Sequence, residues 1–232
     1  MSAVEQVTED AYDREARDPY CIDDEQADLL LAGAPWRRLV VIGDSLAEGV
    51  GDESPGYRSS PWAQRIADAL RRLQPELEFA NLSRRGLRAA EVRAEQLQRA
   101  CAFEPDLAGV ICGGNDLLVE TFDAGAVEAE LDAIVAPLRQ AGADVITWTL
   151  QDITRAWPVL AEGPLLERLV ALNDAVRAVS ARHGAILVDQ WTSPWCAEQE
   201  IYSADFKHSS MRGHAVVAAA TIRRLGAHLR AG

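Results

Sequence analysis

The chain predicts an α/β fold in which a parallel sheet carries helices on both faces. Three observations lead there. Short apolar runs of strand-like composition alternate with longer segments of helical spacing. The first run, Leu39-Val40-Val41-Ile42, breaks off at Gly43-Asp44-Ser45, where a glycine permits a tight turn and small polar residues follow. An irregular stretch over residues 189–210 then departs from compactness, and connections of that length in a compact domain are usually functional. Ligands bind outside the carboxyl ends of the strands in an open parallel sheet, so Ser45 is a candidate nucleophile. The competing reading is a plain strand-to-helix turn with Ser45 as its N-cap.

Taken in order, residues 1–20 are polar and aperiodic and read as a loose arm. Asp23 and Asp24 cap a short helix through Leu29, Leu30 and Leu31, which Gly33 and Pro35 stop. Trp36 anchors this extension, so residues 1–35 divide off as an acidic N-terminal extension and 36–232 as the main domain. After the strand at 39–42, residues 48–59 are rich in glycine and serine and read as a loop. Ser60 caps the next helix with Pro61 in its first position, Trp62, Ile66, Ala69, Leu70 and Leu73 follow at helical spacing, and Pro75 closes it. Residues 77–82 alternate as a second strand, 81–86 turn, and 89–101 form an amphipathic helix.

A third strand spans 107–112 and ends in Gly113-Gly114-Asn115-Asp116. A helix over 124–141 stops at Gly142, and 144–150 is a fourth strand rich in β-branched and aromatic residues. Residues 151–164 are a loop, 165–183 a long helix ended by Gly184, and 185–188 a fifth strand. The irregular stretch precedes a last helix over 211–229.

A composition 48% hydrophobic and 25% charged suits one globular domain, and no run approaches the roughly 18 apolar residues of a membrane span. The acidic N-terminus has no apolar core and does not read as a secretory signal, so a cytoplasmic location is expected. Cys21, Cys101, Cys112 and Cys196 are scattered without a CxxC pair, which indicates neither a zinc site nor a disulfide framework. A net charge of −13 argues against nucleic acid or anionic lipid as partner. Lys207 is the single lysine.

Four histidines offer a base for Ser45. His183 and His228 stand at helix ends, where a cation suits the helix dipole, and read as structural. His214 falls inside the last predicted helix. His208 is the stronger candidate: Asp205, three residues earlier, can hold its Nδ1 proton and leave Nε2 free to take a proton from serine. A surface turn with an ordinary ion pair is the alternative. Three donors at strand ends suit a developing oxyanion: the Ser45 N–H, the N–H of Gly86, and the amide of Asn115. Each also has a bland reading as a turn residue.

Gly43-Asp44-Ser45-Leu46, Gly86 after Asn81-Leu82-Ser83, Gly113-Gly114-Asn115-Asp116 and Asp205-Phe206-Lys207-His208 resemble the four signature blocks of the SGNH/GDSL hydrolases, esterases and lipases. They stand in the family's order, and the resemblance covers residues 38–230. It implies a flavodoxin-like three-layer α/β/α sandwich with a five-stranded parallel sheet. It also implies Ser45 as nucleophile, His208 as base, Asp205 as orienting acid, and Ser45, Gly86 and Asn115 around the oxyanion. The expected substrate is a small-molecule ester or thioester cleaved without metal or cofactor. An acyltransferase using the same acyl-enzyme and a catalytically silent binding module are the alternatives. Two positions depart from the pattern: Ser209 replaces a proline, and Phe206 replaces the glycine of Asp-Gly-x-His.

Other readings fail on named residues. No Gly-Lys-Ser/Thr follows Gly51, the dinucleotide pattern lacks its third glycine, and no HExxH exists. Trp191, Trp195 and Tyr202 accompany the candidate base and serve either as substrate walls or as packing. Arg84, Arg85 and Arg88 flank Gly86, suiting either an anionic substrate or a solvated helix start. The oligomeric state stays open.

Overall fold

The computed structural model describes residues 12–231. Five parallel strands, β1 (Arg38–Gly43), β2 (Glu78–Asn81), β3 (Leu107–Ile111), β4 (Asp144–Trp148) and β5 (Ile186–Val188), form one sheet in the order β2-β1-β3-β4-β5. Among the described residues the helices are α1 (Asp13–Arg17), α2 (Asp24–Leu31), α3 (Ser45–Glu48), α4 (Trp62–Leu73), α5 (Ala89–Ala102), α6 (Ala124–Gln140), α7 (Leu165–His183) and α8 (Met211–Ala231).

Successive side chains on a strand point to opposite faces, so a strand covered on both sides needs an unbroken apolar run. In β1, Val40 and Ile42 join Ala108 and Val110 of β3 beneath α5, α6 and α7. Leu39 and Val41 join Leu107 and Ile111 on the other face, beneath α2, α4 and α8. This is the predicted three-layer sandwich. Because β2 lies on one side of β1 and the later strands on the other, the winding reverses between β1 and β3. Such a reversal opens a crevice at the carboxyl ends of those two strands.

Local signals hold at most boundaries. The Asp23 side chain accepts from the Gln26 N–H at 2.7 Å to start α2, and Gly184 ends α7 with φ 61°. Trp36 is buried and donates from Nε1 to Asp144 Oδ2 at 3.0 Å. A short helix, α3, precedes the first expected loop, and the later expected loops carry 3-10 turns: Ile153–Arg155 and Pro158–Glu162 before α7, and Pro194–Ala197 and Gln199–Ile201 before α8.

The loose arm requires correction. Its first eleven residues lie outside those described, but the rest folds onto the domain. Glu15 of α1 is 7% exposed and accepts from the Arg65 guanidinium at 2.7 and 3.0 Å. Asp18 is 8% exposed and accepts from Tyr57 Oη and Arg212 Nε, each at 2.7 Å. Burial alone would raise both carboxyls; the Arg65 and Arg212 guanidiniums outweigh it and leave both below the usual range. Pairing with arginines far along the chain leaves no periodic trace. Among the described residues no helix is long and apolar enough to cross a membrane.

Candidate active site

The site starts where β1 ends. A Cβ on Gly43 would lie 2.0 Å from the Ile111 carbonyl, so the turn demands glycine. Gln96, 2% exposed on α5, brackets the turn: its Oε1 accepts from the Gly43 N–H at 2.8 Å and its Nε2 donates to the Gly43 carbonyl at 2.9 Å. Sequence reasoning missed Gln96, although it stands at the spacing of Val92 and Ala100 on the buried face of α5. Asp44 caps α3 by accepting from the Leu46 N–H at 3.0 Å. The cap is therefore Asp44, and the alternative reading of Ser45 as N-cap does not hold. Ser45 begins α3 with its Oγ turned to a histidine.

That histidine is His208. Its Nε2 lies 2.7 Å from Ser45 Oγ, and its Nδ1 lies 2.5 Å from Asp205 Oδ2. Asp205 Oδ1 also accepts from the backbone N–H groups of Lys207 and His208 at 2.9 and 3.1 Å. Partial burial raises the Asp205 carboxyl, but the Lys207 N–H and the His208 ring outweigh it and hold it below its ordinary value. The loop is tied down by Asp52, a second residue the sequence did not single out. The Asp52 N–H donates to Ser203 Oγ and its Oδ2 accepts from the Ala204 N–H, both at 2.8 Å.

The other histidines are engaged elsewhere. His214 is 1% exposed; its Nδ1 accepts from the Trp62 N–H at 3.4 Å and its Nε2 donates to the Val50 carbonyl at 3.3 Å. Burial pushes its pKa down to about 4, so it is neutral at pH 7. His183 Nε2 pairs with Asp132 at 2.9 Å, and His228 stacks on Trp36.

Gly86 follows β2 with φ 83°, and a Cβ there would meet nothing within 4 Å. Its need for glycine is thus conformational rather than steric. Asn115 follows β3 across the crevice. Its backbone is right-handed at φ −74° and its side chain makes no cap bond, so it is neither a left-handed turn residue nor an Asx-turn residue. Its Nδ2 donates to the Leu87 carbonyl at 2.9 Å and makes a long contact of 3.4 Å with Asp44 Oδ2. Asp44 is 1% exposed, and burial pushes its carboxyl up to about 7. Asp116 accepts from the Ala89 N–H at 3.0 Å, linking the connections after β2 and β3.

Trp191 packs, partly buried, against the core, and Trp195 meets Tyr20 edge-on at 5.5 Å. Tyr202 is 8% exposed and donates from Oη to the Cys196 carbonyl at 3.1 Å. The two tryptophan contacts are packing contacts, and the Tyr202 hydrogen bond stays within its own connection. Arg85 donates from Nη2 to Glu48 at 2.7 Å, while Arg84 pairs with Glu95 at 2.7 Å and Arg88 with Glu91 at 3.6 Å. The basic charge flanking Gly86 is offset by these carboxylates.

The family model described as the GDSL-like lipase/acylhydrolase family matches residues 41–216. Among solved structures, the chain is similar to TesA, at 22% identity and TM-score 0.64, over 81% of this chain and 97% of that one. It is similar to Axe2, an acetylxylan esterase from Geobacillus stearothermophilus, at 19% identity and TM-score 0.65, over 82% and 94%. The psychrotrophic esterase EstA from Pseudoalteromonas sp. matches at 15% identity and TM-score 0.65, over 84% and 99%. At these identities the three structures speak to the fold. No curated protein matches the chain. The family match covers well over half of the chain and contains Ser45, Gly86, Asn115, Asp205 and His208. By that match the chain belongs to the GDSL-like lipase/acylhydrolase family.

Proposed function

We propose that this protein is a serine hydrolase that cleaves a carboxylic ester or thioester through an acyl-enzyme. Ser45 Oγ attacks the carbonyl carbon while His208 Nε2 takes its proton. Asp205, on Nδ1, keeps the imidazole in the tautomer that leaves Nε2 free to accept and stabilises the imidazolium that forms. The Ser45 and Gly86 N–H groups and Asn115 Nδ2 receive the oxyanion, Asn115 turning its second N–H from Asp44 to the substrate. His208 returns the proton to the leaving alcohol or thiol. Water then attacks the acyl-Ser45 ester with His208 again as base, releasing acid and free enzyme.

The observation that carries this reading is the unbroken contact chain from Asp205 through His208 to Ser45, at 2.5 and 2.7 Å, beside the crevice between β1 and β3. A fluorophosphonate probe tests it. The expected result is a single covalent adduct on Ser45, located by peptide mass spectrometry and prevented by prior acid denaturation. Absence of labelling in the folded protein, together with no turnover of any p-nitrophenyl ester, would overturn the reading.

A further inference from the structure

Phe206 stands between the two residues proposed as acid and base, in a backbone conformation that rarely holds a bulky side chain. Its φ is 59°, in the left-handed region that favours glycine. An outlier of this kind persists only where its surroundings hold it, and it points to function. Core packing does not account for it, because Phe206 is 50% exposed. Its ring instead meets Trp157 edge-on, at 4.8 Å and 80°, and Trp157 meets Tyr202 at 5.2 Å. The three rings form a ladder from buried Tyr202 to half-exposed Phe206, two residues from His208.

Other exposed apolar side chains share this edge of the sheet. Val159, 65% exposed, follows Trp157 by two residues in the connection after β4. Leu118, 59% exposed, follows Asn115 by three in the connection after β3. Arg168 of α7 holds that second connection by donating to the Leu117 and Val119 carbonyls at 2.6 and 2.7 Å. Gln199 Nε2 donates to the Ala156 carbonyl at 3.1 Å, fixing the Trp157 connection to the segment that leads to His208. The apolar groups thus stand on connections at the carboxyl edge of the sheet, the edge that carries Ser45.

We infer that Phe206 and Trp157 form the wall that selects an ester bearing an apolar chain or ring, a reading that rests on Ser45 as nucleophile. The wall acts on specificity: it covers the apolar part of the ester while His208 and Ser45 do the chemistry. An aromatic face suits alkyl and aryl groups and disfavours an anionic one, because the ring quadrupole presents negative density.

The test compares wild type with Phe206→Gly and Phe206→Leu on two substrate series. One varies the acyl group, from p-nitrophenyl acetate to octanoate; the other varies the alcohol, from methyl to hexyl and benzyl acetate. Phe206→Gly should lower the ratio of kcat/KM for the longest member to the shortest by about tenfold in one series. Phe206→Leu should restore much of that ratio, since an apolar side chain returns. The series that responds identifies whether the wall faces the acyl or the alcohol group. Trp157→Ala should act in the same direction and keeps the test open if Phe206→Gly misfolds. A parallel loss on short and long esters would mean that Phe206 only positions His208, and would overturn the inference. So would an unchanged ratio in enzyme whose turnover still depends on Ser45. Turnover that survives Ser45→Ala would instead remove the reading on which the inference rests.

Discussion

Nε2 of His208 lies 2.7 Å from Oγ of Ser45, although 163 residues separate them. The sheet makes the contact: β1 delivers Ser45 and the connection after β5 delivers His208 to the same edge, and Asp52 ties the two connections together. The first prediction is that Ser45→Ala abolishes ester hydrolysis and fluorophosphonate labelling while far-UV circular dichroism stays unchanged. Labelling of another serine in that variant would reject the nucleophile.

The two central histidines should separate cleanly. His208→Ala should lower kcat by about 10²–10⁴-fold, the usual worth of a positioned base. His214→Ala should leave kcat of the folded fraction nearly intact and cost about 3 kcal/mol of stability, because it empties a packed site. Steady-state kinetics and denaturant titration of both variants make the comparison, and the reverse pattern would move the base to His214.

Stability against pH should carry opposed contributions. For His214 the folded value is lowered to about 4, so the unfolded chain binds the extra proton. Stability from this group is therefore lost as pH falls from about 6.5 towards 4, by about 3 kcal/mol at most. For Asp44 the folded value is raised to about 7, so its contribution is present at low pH and lost as pH rises towards 7. Replacing His214 with Gln should make stability fall more steeply with rising pH between 4 and 6.5 than in wild type. Urea midpoints at half-unit pH steps measure this, and parallel curves would show that His214 does not titrate as its burial requires.

Asn115→Ala should lower kcat by about 10²–10³-fold and change KM little, because the lost donor matters only once charge builds on the carbonyl oxygen. Asn115→Asp should be at least as damaging, since a carboxylate repels that charge and stands 3.4 Å from Asp44. Near-normal kcat in folded Asn115→Ala would remove it from the oxyanion site.

Arg65→Ala should be among the most destabilising changes outside the site. Glu15 and Arg65 are both 7% exposed, so removing this guanidinium leaves the buried carboxylate with the more exposed Arg58 as its remaining cationic partner. An uncompensated buried charge costs about 3–5 kcal/mol, and the Arg58 contact at 2.9 Å holds the expected loss to the lower end of that range. A melting temperature within a degree of wild type would mean that α1 does not stay docked.

Much of this molecule was determined by the sequence alone. An apolar run such as Leu39 to Ile42 can be buried on both faces only as an inner parallel strand, and the alternation with helical segments admits little but a covered parallel sheet. The helix from Leu165 to His183 was legible to the residue, because Gly184 provides the left-handed stop. Ser45, Gly86, Asn115, Asp205 and His208 were legible as candidates because their signals are local: a glycine at a turn, an amide after two glycines, a carboxylate three residues from an imidazole. Tertiary structure decided the rest. It joined His208 to Ser45 and buried His214 between Val50 and Trp62, a choice that depends on which connection crosses the crevice. It set buried Gln96 around Gly43 and exposed Asp52 against the His208 loop, each through backbone groups distant in sequence. It also turned residues 12–20 from an expected arm into a docked element. Glu15 meets Arg65 50 residues away and Asp18 meets Arg212 194 residues away, and pairings of that range carry no period for a sequence to display.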